Sequence, residues 1–278
     1  MSTIKLYDLK TEFGKYQSIA DPWILDIIMA TIIGNMLLAR DPIWTLIVAS
    51  PSTGKTTLVM PCSSMKFCKF ILDLTEKTLL SGFSTKGKNM SLLTAMTLAG
   101  QKMMIFPDFS SILSKNPVQG NEILAQMKSL YDGRLEKATG TGEQSFHGRM
   151  GLLACNTPSI YRFLEQGKAL GERFLYYAMQ GATQADVQKK KSANLMARLS
   201  AKDIENAMAP FYLEYFEGVK SFIESVVLPD FVLTDEQKQR IYDAADFAVK
   251  GKANIPIDWK SKKATDIPEI AGVGRDLE

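Results

Sequence analysis

The stretch Trp44 to Thr57, WTLIVASPSTGKTT, constrains the fold more than any other part of the chain. A short apolar run, Trp44-Thr45-Leu46-Ile47-Val48, breaks into a turn of small residues and then Gly54-Lys55-Thr56-Thr57. That is the order strand, phosphate loop, helix. Small residues let backbone N–H groups face a polyphosphate, and the following helix start adds its positive end. Pro51, Ser52, Thr53, Gly54, Lys55, Thr56 and Thr57 are therefore the candidate nucleotide-binding set. In that chemistry Lys55 reaches the β- and γ-phosphates and the Thr56 hydroxyl ligates Mg²⁺. Such a loop usually opens with Gly, and here Ala49 stands in that place. Ala is compatible with the loop only if its φ stays below zero. A chance Gly-Lys-Thr on a surface loop is the plain alternative, and the strand and small-residue turn before it count against that.

A second apolar run, Met103-Met104-Ile105-Phe106, ends in Pro107-Asp108. It has the form of the strand whose acid holds Mg²⁺ in a phosphate-loop ATPase. A buried strand whose Asp caps the next turn would look the same. Gly151 to Pro158 (GLLACNTP) is a third buried strand, ending at Asn156. Between them, Asn121 to Tyr131 has helical spacing, Asp132-Gly133 is a turn, and Arg134 to Ala138 is expected to pair with Gln144 to His147 as a hairpin. Phe70 to Leu74 reads as a strand, Ser91 to Leu98 as a helix capped by Ser91, and Leu170 to Ala178 as a loop running into a strand. Asp21-Pro22 opens a helix to about Arg40 that is apolar nearly all round. This alternation predicts an α/β fold with a parallel sheet. From about 193 the pattern is helical to Val227. Thr234-Asp235-Glu236-Gln237 is a capping box that opens a further helix.

Composition narrows the setting. The chain has 278 residues, 46% hydrophobic and 23% charged, with a net charge of only +3. No whole-chain polycation argument for nucleic acid follows, so local clusters must carry that case. Cys62, Cys68 and Cys155 with His147 fit no zinc spacing, and an odd cysteine count argues against a disulfide framework, which implies a reducing cytoplasm. Met1 is followed by no signal segment. Pro22 to Leu38 contains Asp26 and Asn35 and is short for a membrane span, so it reads as a core helix.

The order of these motifs resembles an AAA+ ATPase. The Gly-Lys-Thr loop, the strand before Asp108, the strand ending at Asn156 and Arg173 in Gly171-Glu172-Arg173-Phe174 come in that family's sequence. The resemblance covers roughly residues 20 to 275 and implies an N-terminal arm (1–20), an αβα ATPase core (21–185) and an α-helical lid (186–278), truncated or completed elsewhere. It implies ATP and Mg²⁺ as ligands. Asn156 resembles the polar sensor that orients the attacking water. Arg173 resembles the arginine finger lent to a neighbouring subunit's ATP, which implies a ring or helical homo-oligomer such as a hexamer. Arg275 is the late candidate for a second sensor, with Arg198 and Arg240 behind it.

A finer resemblance is to the minichromosome-maintenance branch and to replication ATPases of phages and mobile elements. There the insert before the sensor strand is a hairpin that touches DNA. Carried over, the DNA-binding candidates are Arg134, Lys137, His147 and Arg149, each needing only a cation within reach of a phosphate. An ordinary solvent-exposed hairpin accounts for them equally well. The usual acid pair is Asp-Glu. Here Asp108 is flanked by Pro107 and Phe109, so either the base is missing or Asp108 takes the Glu position. Glu122 and Glu172 are other acids to consider. The expected function is an ATP-driven DNA motor, a helicase or replication ATPase working with other replication proteins. The alternatives are an ATP-dependent assembly switch and a protein remodeller using an aromatic pore loop near residues 81 to 90, with Phe83 as its candidate aromatic.

Overall fold

The structure, a computed structural model, describes residues 4–17, 19, 21–37, 41–80, 91–139, 142–161, 173–180, 200–225, 234–240 and 242–243. The chain divides into two compact units, Met1–Ser225 and Val226–Glu278.

The first unit is built on a five-stranded sheet. Its strands are β1 (Trp44–Val48), β2 (Cys68–Phe70), β3 (Met103–Phe106), β6 (Gly151–Asn156) and β7 (Phe174–Ala178). The order is β2-β3-β6-β1-β7, and every pairing is parallel. β1, β3 and β6 are buried at every position, as continuous apolar runs covered on both faces must be. β4 (Arg134–Thr139) and β5 (Gly142–His147) form a separate antiparallel hairpin. The α/β class and the parallel sheet are thus as the alternation predicts.

Helices cover both faces. One face packs on α1 (Leu6–Tyr16), α2 (Ile24–Leu37), α3 (Lys55–Val59) and α7 (Ala201–Ser225), the other on α4 (Leu92–Leu98), α5 (Ser110–Leu113) and α6 (Pro117–Tyr131). Ser91 caps α4 by accepting from the Thr94 N–H, as expected, and Asn116 caps α6 by accepting from the Val118 N–H.

Three local differences have physical causes. Residues 6–16, which read as part of a polar arm, form α1, whose Leu9 and Phe13 are fully buried. Two apolar residues at i and i+4 make a stripe too narrow to register as periodicity, yet enough to dock one helix. β2 is Cys68–Phe70 rather than 70–74, because Ile71 leaves the ladder after donating to the Ile105 carbonyl. α7 belongs to the first unit. The Tyr212 hydroxyl donates to the Leu58 carbonyl at 2.8 Å, and the Ser64 hydroxyl donates to the Ala209 carbonyl at 2.9 Å. In the second unit the capping box forms: the Gln237 N–H donates to Thr234 Oγ1 at 3.2 Å and the Thr234 N–H to Gln237 Oε1 at 2.9 Å.

The two polar residues of α2 are structural. Asp26 pairs with Lys10. Asn35 Nδ2 donates to the Ile43 carbonyl at 2.9 Å and Asn35 Oδ1 accepts from the Ile43 N–H at 2.9 Å, which fixes the entry into β1. No described helix is long and apolar enough to cross a membrane.

Candidate nucleotide-binding site

The carboxyl ends of parallel strands, where neighbouring connections diverge, are where α/β proteins place ligands. β1 ends at Val48, between Asn156 of β6 and Ala178 of β7. The loop 49–54 leaves from that point. Ala49 is buried, donates its N–H to the Asn156 carbonyl at 3.2 Å, and is not among the positive-φ residues. The substitution for the usual Gly therefore costs no backbone strain. Ser52 does adopt the left-handed region, at φ 63°, and Gly54 lies at φ 88° as it caps α3. A serine held there costs of order 1 kcal/mol or more and survives only where the surroundings enforce it.

Lys55 turns back over the loop. Its Nζ donates to the Ala49 carbonyl at 2.6 Å, the Ser50 carbonyl at 2.7 Å and Thr53 Oγ1 at 3.4 Å. Burial lowers its pKa, and the nearby Cys155 and Asp108 push the other way. The ammonium thus sits inside a turn of carbonyls within electrostatic reach of Asp108.

β6 separates β1 from β3, so Asn156 lies between the loop and the Asp108 segment. Asn156 is 2% exposed. Its Oδ1 accepts from the Thr157 N–H at 2.7 Å, and its Nδ2 has no partner among the described residues. A buried amide donor without a partner is uncommon and asks for a ligand or water to complete it.

Thr56 Oγ1 approaches the Pro107 carbonyl at 3.5 Å, so the position facing the threonine hydroxyl is a proline with no carboxylate. Asp108, one residue on, is exposed, and its Oδ1 accepts from the Ser110 N–H at 2.9 Å and the Ser110 hydroxyl at 2.6 Å. Phe109 is 1% exposed and meets Phe106 and Phe174 edge to face. The position after Asp108 is thus a core position. Among the described residues no group of three or more His, Cys, Asp or Glu gathers as a metal site. Mg²⁺ that arrives with a polyphosphate needs only one or two protein oxygens, and Thr56 and Asp108 fit that more modest role.

The remaining predicted residues scatter. Arg173 lies at the start of β7, where Phe174 pairs with Trp44. That is the end of the sheet opposite the loop, roughly 16 Å away for a five-residue strand. It is 6% exposed, clasps both oxygens of Asp132 at 2.9 and 3.0 Å, and stacks over Tyr131.

In the hairpin, Arg134 faces His147 across the ladder, with Glu136 and Glu143 on the same face. Arg134 is tied to Glu136 at 2.9 Å. That face sets Arg134 and His147 beside two carboxylates. Lys137 points to the other side and holds Glu122 at 2.9 Å and the Glu76 carbonyl at 2.6 Å. Glu122 is thereby spent on the hairpin. Arg149 lies beyond the hairpin and pairs with Asp41 at 3.2 Å. Arg240 pairs with Glu236 in the second unit. Arg275, Arg198, Glu172 and Phe83 lie outside the described residues.

One residue that the sequence does not point to joins the site. The Gln17 carboxamide, at the end of α1, lies directly over Gly54. Nothing in its polar surroundings in the sequence marks it. Compared with protein-family models and with curated protein sequences, the chain gives no match.

Proposed function

We propose that the chain binds ATP with Mg²⁺ and hydrolyses it, acting as an AAA+ motor on DNA within a homo-oligomer. The observation that carries the nucleotide reading is the β1-β6-β3 order, which sets the loop, the unpartnered Asn156 amide and the Asp108 segment side by side. Residues 51–57 hold the phosphates, with Lys55 exchanging loop carbonyls for phosphate oxygens. Thr56 and Asp108 take the metal, which neutralises charge on the phosphoryl group. Asn156 Nδ2 orients the attacking water. With Phe109 sealed in the core, the residue after Asp108 supplies no base.

DNA, the hexameric ring and a lid carrying Arg275 rest on the resemblance alone, and a cytoplasmic setting on the odd cysteine count. Arg173 would act on a neighbour's nucleotide only by leaving Asp132.

One set of observations favours the second reading, an ATP-dependent assembly switch without unwinding. Proline stands opposite Thr56, Phe109 is buried, and the free face of the hairpin is not basic. Steady-state ATPase with and without single-stranded DNA separates the two. A motor shows stimulation by DNA, and Asp108→Asn, which strips a carboxylate from the metal, lowers turnover at least about 10²-fold, the scale of lost electrostatic stabilisation. Tight ATP binding with turnover that neither DNA nor Asp108→Asn changes would overturn the motor reading in favour of the switch.

A further inference from the structure

Gln17 belongs to none of the motifs above. It stands on a rigid platform: Leu9 and Phe13 anchor α1 in the core, and the Gln17 N–H closes the helix on the Phe13 carbonyl at 3.0 Å. The residue is 7% exposed. A Cβ built on Gly54 would meet Gln17 Nε2 at 1.9 Å, Cδ at 3.0 Å and Oε1 at 3.3 Å. The amide nitrogen is thus the atom pressed against the loop. Among the described residues no hydrogen bond engages the carboxamide, and neither its nitrogen nor its oxygen is a fully buried unpartnered atom, so both are open to solvent beside the loop. An amide donor that opens at the loop with no protein partner is available to a ligand bound there. Here the ligand site is the loop itself, where the Lys55 ammonium already selects for anionic oxygen. A second, uncharged donor at its rim suits the same oxygen chemistry and does not compete with Lys55.

We propose that Gln17 Nε2 donates a hydrogen bond to a phosphate oxygen of the bound nucleotide, so that the N-terminal helix contributes directly to the site. This rests on the nucleotide-binding reading of residues 49–57. A side chain at 54 would displace the amide, a constraint on that position beyond its φ.

Calorimetric titration of the full chain with ATP and Mg²⁺, and separately with inorganic tripolyphosphate, tests the contact. Gln17→Met keeps the bulk and removes the donor. Gln17→Glu keeps the shape and places a carboxylate beside the phosphates. The expected result is that Gln17→Met weakens both ligands about tenfold, the scale of one hydrogen bond to a charged group, and that Gln17→Glu weakens both further. The ligand-free melting temperatures stay near that of the parent chain. Unchanged binding in both variants overturns the contact. Loss confined to ATP, with tripolyphosphate unaffected, also overturns it by moving Gln17 to the nucleoside. Failure of the parent chain to bind either ligand removes the loop reading itself and this contact with it, a result distinct from the other two.

Discussion

Replacing Phe13 by Ala separates a core helix from a dispensable arm. Phe13 is 0% exposed and packs in the cluster that holds α2, α3 and α7 on the sheet. Truncating a fully buried Phe costs about 3–5 kcal/mol through lost burial and the cavity left behind. For a unit of this size each kcal/mol lowers the melting temperature by about 2–4 °C. The expected drop is therefore about 6–20 °C. The control is Tyr7→Ala on the same helix, since Tyr7 is 75% exposed and its loss should fall within about 0.5 kcal/mol. Thermal unfolding of the full chain followed by far-UV circular dichroism reads both. Equal, small shifts for Phe13→Ala and Tyr7→Ala would refute the docking of α1 and remove the platform under Gln17.

Other consequences follow from buried polar groups. Asp21 is fully buried and accepts from the Trp23 N–H, the Tyr177 hydroxyl and the Gln180 N–H. Asp21→Ala orphans three donors and should cost at least about 3 kcal/mol, whereas Tyr177→Phe should cost about 1, by urea unfolding. Burial pushes the Cys68 and Cys155 thiols up to about 12, against an ordinary value of 9.0. Above pH 9 the unfolded chain has released protons that the folded chain retains. Stability should therefore fall between pH 9 and 12, and Cys68→Ala should flatten the slope of urea midpoint against pH. Phe109→Glu restores the family-like acid pair on paper but buries a carboxylate among Phe106 and Phe174. It should lower stability by several kcal/mol and leave ATP turnover no faster, measured side by side on soluble protein.

What the sequence made legible is what lies in one contiguous stretch. β1, β3 and β6 lie in short, mostly apolar runs, and the hairpin is announced by its central glycines. Ser91 and Thr234 stand directly before the helices they cap. What it hid depends on partners far along the chain. Arg173 looks like a free finger until Asp132 is seen to clasp it, and Lys137 looks free until Glu122 does the same. The acid pair was ambiguous because only the fold shows that Pro107 faces Thr56 and that Phe109 turns inward. Strand order, which inserts β6 between the loop and Asp108, cannot be read from local pattern at all. Nor can the meeting of Gln17 with Gly54.

The nucleotide site itself is tested most directly by equilibrium binding of ATP with Mg²⁺ to the full chain and to Lys55→Ala. Loss of the Lys55 ammonium removes a cation folded over the loop at 2.6 and 2.7 Å from its carbonyls. The expected result is saturable binding by the parent chain, weakened at least about a hundredfold in Lys55→Ala, the scale of a lost charged contact. Binding that Lys55→Ala leaves unchanged, or no binding by the parent chain, would contradict the assignment of residues 49–57 as a phosphate loop.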